Sequence, residues 1–253
     1  MKYWKKAARK LQTASTMQQN KITILSTRPL SETLIDEALQ QGIEIDTQSF
    51  IETEAIQTIE VQQEIEQALL QSATIVFTSM NAVEAVAEYM NEEMPDWMIY
   101  CIGQTTQQLA KNYFGEKSIA GTADNAADLA ELIAEEGYTD EVIFFCGDQR
   151  RDELPDILLS NDIQVTEIMV YHTIATPKKI KKFYNGILFF SPSAVNSFFS
   201  ANKTENITTL FAIGSTTAGA IKKYSSGTII TSDKPGKENL IEKAINYFVN
   251  SER

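Results

Sequence analysis

Two serine-bearing segments carry the first hint of chemistry: Ser79 in "FTSMNAV" and Ser191 in "FFSPSAV", 112 positions apart. Each follows an apolar run and precedes a helical pattern, so the hydroxyl stands where a strand hands over to a helix. Two more segments, "IGQTT" (102–106) and "IGSTT" (213–217), repeat a glycine with paired threonines at a spacing of 111. Glycine at such a junction lets a ligand approach the backbone closely, and the free N–H groups of a helix start can hold an anion. The candidate binding residues are therefore Ser79, Asn81, Gly103, Thr105, Thr106, Ser191, Ser193, Gly214, Thr216 and Thr217. Arg28, Arg150 and Arg151 also fall just past strand ends, where a guanidinium can grip carboxylate or phosphate. Each has a plainer reading. Ser, Thr and Asn are the favoured helix N-caps anywhere, and the arginines have Asp148 and Asp152 close by as ion-pair partners.

Other chemistries are poorly supplied. His172 is the single histidine, which leaves no Ser-His-Asp set. With two cysteines and one histidine a zinc site is improbable. Cys101 and Cys146 sit in apolar runs, as small buried hydrophobes do, and their usage fits a reducing compartment. No G-x-x-x-x-G-K-[ST] or G-x-G-x-x-G sequence follows a strand, so nucleotide binding has no motif behind it.

The elements that must position these residues alternate along the chain. Short apolar runs at 22–27, 43–50, 74–79, 98–103, 117–120, 141–147, 163–171, 186–191, 209–214 and 227–231 read as strands. Stretches of helical spacing separate most of them, such as Leu34, Ile35, Ala38 and Leu39, opened by Ser31 and closed by Gly42. Strand-helix alternation predicts an α/β fold with parallel sheets covered on both faces. The repeats add the layout. Beyond the 112 and 111 offsets, Leu34, Leu39, Ile43 and Ile45 correspond to Leu154, Leu159, Ile163 and Val165 at an offset of 120. The middle of the chain thus runs three βα units and then a strand-helix-strand piece, and the two ends supply the same parts in reverse order. This predicts two doubly wound domains of five strands each. One is discontinuous (21–50 and 179–253) and the other inserted (61–168), with connectors at 51–60 and 169–178. Insertion at a surface connection costs little. Two tandem domains split near residue 137 is the alternative, and it leaves both sheets with odd edges.

Bulk properties set the outer limits. No apolar run approaches the roughly 20 residues that span a bilayer, so the chain reads as soluble. The basic opening, residues 1–20, lacks a continuous apolar segment and reads as a terminal extension rather than an export signal. A net charge of −12 argues against a surface that attracts nucleic acid.

Taken in order, "FTSMNAV", "IGQTT", "CGDQRRDELP", "VYHT", "FFSPSAV" and "IGSTTAGAI" resemble the uroporphyrinogen-III synthase family over about residues 21 to 248. The resemblance implies a cytoplasmic, monomeric, cofactor-free enzyme of tetrapyrrole biosynthesis. Such an enzyme closes hydroxymethylbilane to uroporphyrinogen III, inverting ring D and releasing water. It also implies two α/β domains joined by a two-stranded connector, with the active site in the cleft. Tyr171 matches the family tyrosine proposed to assist loss of the hydroxyl. Thr106 and Thr217 match the threonines of the glycine-threonine loops. Ser79 and Ser191 match the loop serines, Arg151 a basic residue, and Arg28 the bacterial "TRP" pattern. His172 stands where some relatives have glutamine and receives no role. The reading from another class is a non-catalytic two-domain protein that binds a small anion.

Overall fold

The computed structural model describes residues 21–90, 93–234 and 236–251, and the expected extension at 1–20 lies outside the described residues. The chain divides into two compact units. One uses the chain up to Phe50 and again from Pro177; the other is Ile51–Thr176.

The first unit opens with β1 (Ile22–Ser26), α1 (Glu32–Gln40) and β2 (Ile43–Thr47). The second contains β3 (Ile51–Ala55), α2 (Ile59–Leu69), β4 (Ala73–Phe77), α3 (Met80–Ala87), β5 (Trp97–Ile102), α4 (Gln104–Phe114) and β6 (Ile119–Ala123). It continues with α5 (Ala126–Glu136), β7 (Glu141–Gly147), α6 (Glu153–Ser160) and β8 (Gln164–Ala175). The first unit then resumes with β9 (Gly186–Phe189), α7 (Pro192–Ala201), β10 (Thr209–Ala212), α8 (Ser215–Lys222), β11 (Ile229–Thr231) and α9 (Lys237–Ser251).

The two sheets share one plan. The first runs β11-β10-β9-β1-β2 and the second β6-β5-β4-β7-β8 with β3 added at the edge. The spatial order is the same although the chain order is permuted, which is the pattern the sequence offsets encode. Each sheet has an apolar core on both faces. In the second, Phe77, Cys101 and Phe145 look to one side, while Val76, Tyr100, Phe144 and Cys146 look to the other. In the first, Leu25, Phe189 and Ala212 oppose Ile24, Leu188 and Phe211. Burial on both faces explains why these strands read as continuous apolar runs rather than alternating ones.

The expectation of five strands in each sheet needs one correction. Residues 51–55, expected as connector, form β3, and 169–175 continue β8 alongside it. The two pair antiparallel from Ile51↔Ala175 to Ala55↔Tyr171. Pairing satisfies backbone groups that a bare connector would leave to water, and Glu52 and Glu54, both exposed, charge the open edge against further pairing. The second unit therefore starts at Ile51 rather than 61 and ends at Thr176 rather than 168.

Helix α1 stops where the sequence says it should. Gly42 takes φ +79°, and its N–H bonds the Leu39 carbonyl at 2.9 Å. Ser31 occupies the N-cap position but makes no side-chain cap bond.

Candidate functional site

Strand register collects the predicted residues of the second unit along one edge. Phe77 of β4 pairs with Cys101 of β5 and with Phe145 of β7. Two residues further on, Ser79, Gly103 and Gly147 consequently stand side by side at the carboxyl edge, where open parallel sheets bind ligands. Ser79 caps α3, its Oγ accepting the Asn81 N–H at 3.2 Å. Gly103 opens α4 with φ +76°, a backbone conformation that L side chains avoid. A hydroxyl cap is absent there, contrary to the simplest capping picture. The N–H groups of Gln104, Thr105 and Thr106 have no acceptor among the described residues, so this helix start keeps its anion-binding capacity. Thr105 is exposed, whereas Thr106 is 6% exposed and has little surface left for a ligand.

Tyr171 is brought to the same edge by a slip in register. Cys146 pairs with Met169, yet Gly147 pairs with Tyr171, so β8 carries one residue more than β7 at this point. A slip of one residue turns every following side chain to the opposite face. Val170 and Tyr171, neighbours in sequence, therefore both pack against the core that contains Phe77 and Phe145. The phenol faces the side chains of Ser79 and Asn81, both of which favour its ionised form. Its pKa is raised above the ordinary tyrosine value, chiefly by burial, with Cys146 and Asp148 adding to the effect and the polar side chains of Ser79 and Asn81 opposing it. The group is a protonated, half-buried phenol at the carboxyl edge of the sheet.

The arginines separate into two kinds. Arg150 is paired with both Asp152 and Glu167, so the plain ion-pair reading holds for it. Arg151 is exposed and has no ion pair among the described residues. His172 is exposed, with Nδ1 3.9 Å from an Asp148 carboxylate oxygen. Cys101 and Cys146 are buried in β5 and β7, and desolvation pushes their thiols up to about 12 and about 11. Both are inert core residues.

The first unit repeats the edge. Ser26 pairs with Leu188, and Phe189 with Ala212. Arg28, Ser191 and Gly214 follow two residues beyond Ser26, Phe189 and Ala212. Ser191 caps α7, accepting the Ala194 N–H at 3.1 Å. Ser193 is half-buried on the first turn. Gly214 opens α8 without a side-chain cap. Thr216 is exposed there and Thr217 is 2% exposed, matching Thr105 and Thr106. The Arg28 guanidinium lies 5.6 Å from the Phe190 ring centroid and has no ion pair among the described residues. In the second unit, Gly147 and Asp148 stand at the carboxyl edge too, although the sequence offered Asp148 only as an ion-pair partner and did not single out Gly147. The available signal was a glycine directly after a strand.

A groove of 790 Å³ lies at the other end of the second sheet, among Glu64, Ala73, Asp96 and Glu141. Its acidic lining does not suit an anion, and it contains none of the residues above.

A family model described as Uroporphyrinogen-III synthase HemD matches residues 32–242. The chain belongs to the uroporphyrinogen-III synthase family. Among curated relatives of this family, the porphyrin biosynthesis protein HemD of Ruminiclostridium josui is 28% identical over 241 residues, covering 88% of this chain and 48% of that protein. The chain thus spans about half the length of that relative. Uroporphyrinogen-III synthase of Saccharomyces cerevisiae is 27% identical over 207 residues, covering 66% of this chain and 74% of the yeast protein. The fold is shared with the Helicobacter pylori uroporphyrinogen-III synthetase, at a TM-score of 0.64 and 17% identity over 89% of this chain and 99% of that one. A mutant uroporphyrinogen III synthase from the extremely thermophilic bacterium Thermus thermophilus also shares it, at a TM-score of 0.58 and 11% identity over 92% of this chain and 100% of that one. No helix among the described residues is long and apolar enough to cross a membrane.

Proposed function

We propose that this chain is a uroporphyrinogen-III synthase, closing hydroxymethylbilane to uroporphyrinogen III with inversion of ring D and loss of water. The observation that carries the reading is a protonated, half-buried phenol at a sheet's carboxyl edge, facing Ser79 and Asn81, in a chain of this family. Tyr171 gives its proton to the departing hydroxyl. The C–O bond breaks as the pyrrole nitrogen supplies an electron pair, water leaves, and an azafulvene cation remains. That cation attacks the substituted carbon of ring D, and the resulting spiro-pyrrolenine fragments and recloses. The proton lost when the last pyrrole regains aromaticity balances the one donated.

No electrons are gained or lost, so the reaction is that of a cyclising hydro-lyase and calls for no cofactor. Most of the demand is positional, because inverted closure must outrun direct closure of a flexible eight-carboxylate chain. Fixed orientation can supply several kcal/mol of that advantage. Carboxylate binding falls to Arg28 and Arg151, which have no ion pair among the described residues, and to the helix starts at Gly103 and Gly214. Thr105 and Thr216 are exposed there, while Thr106 and Thr217 offer backbone N–H groups rather than their buried side chains. Ser79, Asn81, Ser191 and Ser193 supply neutral hydrogen bonds. We expect a cytoplasmic monomer, and the −12 charge weighs against any nucleic-acid partner.

Incubation with enzymatically generated hydroxymethylbilane tests the reading. The type III isomer should dominate, whereas a non-catalytic binder would leave only the spontaneous type I isomer.

A further inference from the structure

Gly147 does not need to be glycine for its own backbone. It lies outside the positive-φ glycines, so alanine could adopt its conformation without strain. Space is what forbids a side chain. A Cβ built there would come within 2.3 Å of Cζ, 2.4 Å of Cε2 and 2.8 Å of the hydroxyl oxygen of Tyr171. Real Cβ atoms do not approach this closely, so one of the two residues must move.

The backbone on both sides is fastened. The Asp148 N–H donates to the Tyr171 carbonyl at 3.2 Å. The Asp148 carboxylate accepts the Thr173 N–H at 2.9 Å. On the other flank the Ile56 N–H donates to the Val170 carbonyl at 2.9 Å. The Tyr171 ring, free to rotate at its two side-chain torsions, is what gives way.

We infer that Gly147 is a positioning residue for the reaction: its missing side chain leaves the space that the Tyr171 ring and hydroxyl occupy, which keeps the phenol facing Ser79 and Asn81. This rests on the proposed role of Tyr171 as proton donor. Gly147 touches the phenol and acts through it.

The test combines kinetics with a spectroscopic reading of the ring. Gly147→Ala should lower kcat for type III formation at least tenfold and change KM less than threefold, because the carboxylate-binding groups are untouched. In a Tyr171→Phe background, which already lacks the hydroxyl, Gly147→Ala should change kcat less than threefold. A general structural role would slow both backgrounds alike. In protein labelled with 3-fluorotyrosine, the Tyr171 resonance, assigned by its loss in Tyr171→Phe, should move in Gly147→Ala while the other resonances hold. Should Gly147→Ala fold poorly, Gly147→Ala with Tyr171→Ala removes both the methyl clash and the ring, and should melt within a few degrees of Tyr171→Ala alone. An unmoved resonance with an unchanged kcat overturns the inference, as does an equal loss in both backgrounds. If the wild type makes no type III isomer the functional reading fails. The resonance then still decides whether Gly147 seats the ring.

Discussion

Tyr171→Phe separates chemistry from structure better than any other single change, because it removes one O–H and leaves the ring on Gly147. The ring packs beside the core that contains Phe77 and Phe145, and that contact survives the substitution. What disappears is a hydroxyl that faces Ser79 and Asn81 and can hydrogen-bond there. The net value of such a bond is about 1 kcal/mol, so the melting temperature should fall by a few degrees at most. The kinetic loss should be much larger. A positioned general acid contributes about 10²-fold at the low end, which is about 2.7 kcal/mol of barrier at about 1.36 kcal/mol per tenfold. Ser79→Ala is the control. It removes a helix cap, costing about 1 kcal/mol of stability, and one of the two partners of the phenol, but the proton donor stays. The expected order is therefore a roughly hundredfold loss of type III rate for Tyr171→Phe and less than roughly tenfold for Ser79→Ala. The assay follows type III formation against the spontaneous type I reaction, which serves as an internal clock. Equal losses in the two variants, or an unchanged rate in Tyr171→Phe, would remove the acid role from Tyr171.

Three further outcomes follow from the same structure. The Cys101 and Cys146 thiols, ordinarily near 9, stand at about 12 and about 11 in the fold, so above pH 9 the folded chain binds more protons than the unfolded one. Their contribution is complete below pH 9 and is lost as pH rises through 11 to 12, at up to about 1.4 kcal/mol per pH unit for each thiol; urea midpoints at pH 8 and pH 10 should show the drop, and a Cys101→Ala/Cys146→Ala variant should show less of it. Arg28→Ala and Arg151→Ala should raise KM for hydroxymethylbilane more than kcat falls, while Arg150→Ala, whose charge is already engaged by Asp152 and Glu167, should leave KM unchanged and cost about 0–1 kcal/mol in urea unfolding. Phe77→Ala should destabilise by about 3–5 kcal/mol, because Phe77 is fully buried and stacks on Phe114 and Phe145 at 5.7 and 5.5 Å; a loss below about 1 kcal/mol would contradict that packing.

Much of the fold is legible in the chain because both sheets are buried on both faces. Runs such as "TIVF" and "ILFF" announce themselves, and the paired serines and glycines at the strand ends reveal that two units share one plan. The segment "IETEA" carries no strand signal of its own, because an exposed edge strand with two glutamates has no apolar run. Only the family resemblance, through its two-stranded connector, pointed to the pairing with β8, which is set by contacts more than a hundred residues apart in sequence. The candidate site was legible as a set of strand ends, since register follows from matching runs. The threonines were only half legible. The sequence offered both threonines of each pair as binding residues or helix caps, but the cap positions are Gly103 and Gly214, and the second threonine of each pair is buried. Gly147 was hidden for a different reason. Its role exists only because the register slips by one residue and turns Tyr171 over it, and no local spacing records a slip between strands.

The claim on which the rest depends is that this protein governs which isomer forms. Hydroxymethylbilane should be released at a fixed rate into solutions of increasing protein concentration, and the uroporphyrinogen isomers separated after oxidation to porphyrins. The type III fraction should rise with protein until it displaces type I almost entirely. A type I product whose share does not change with protein concentration would contradict it.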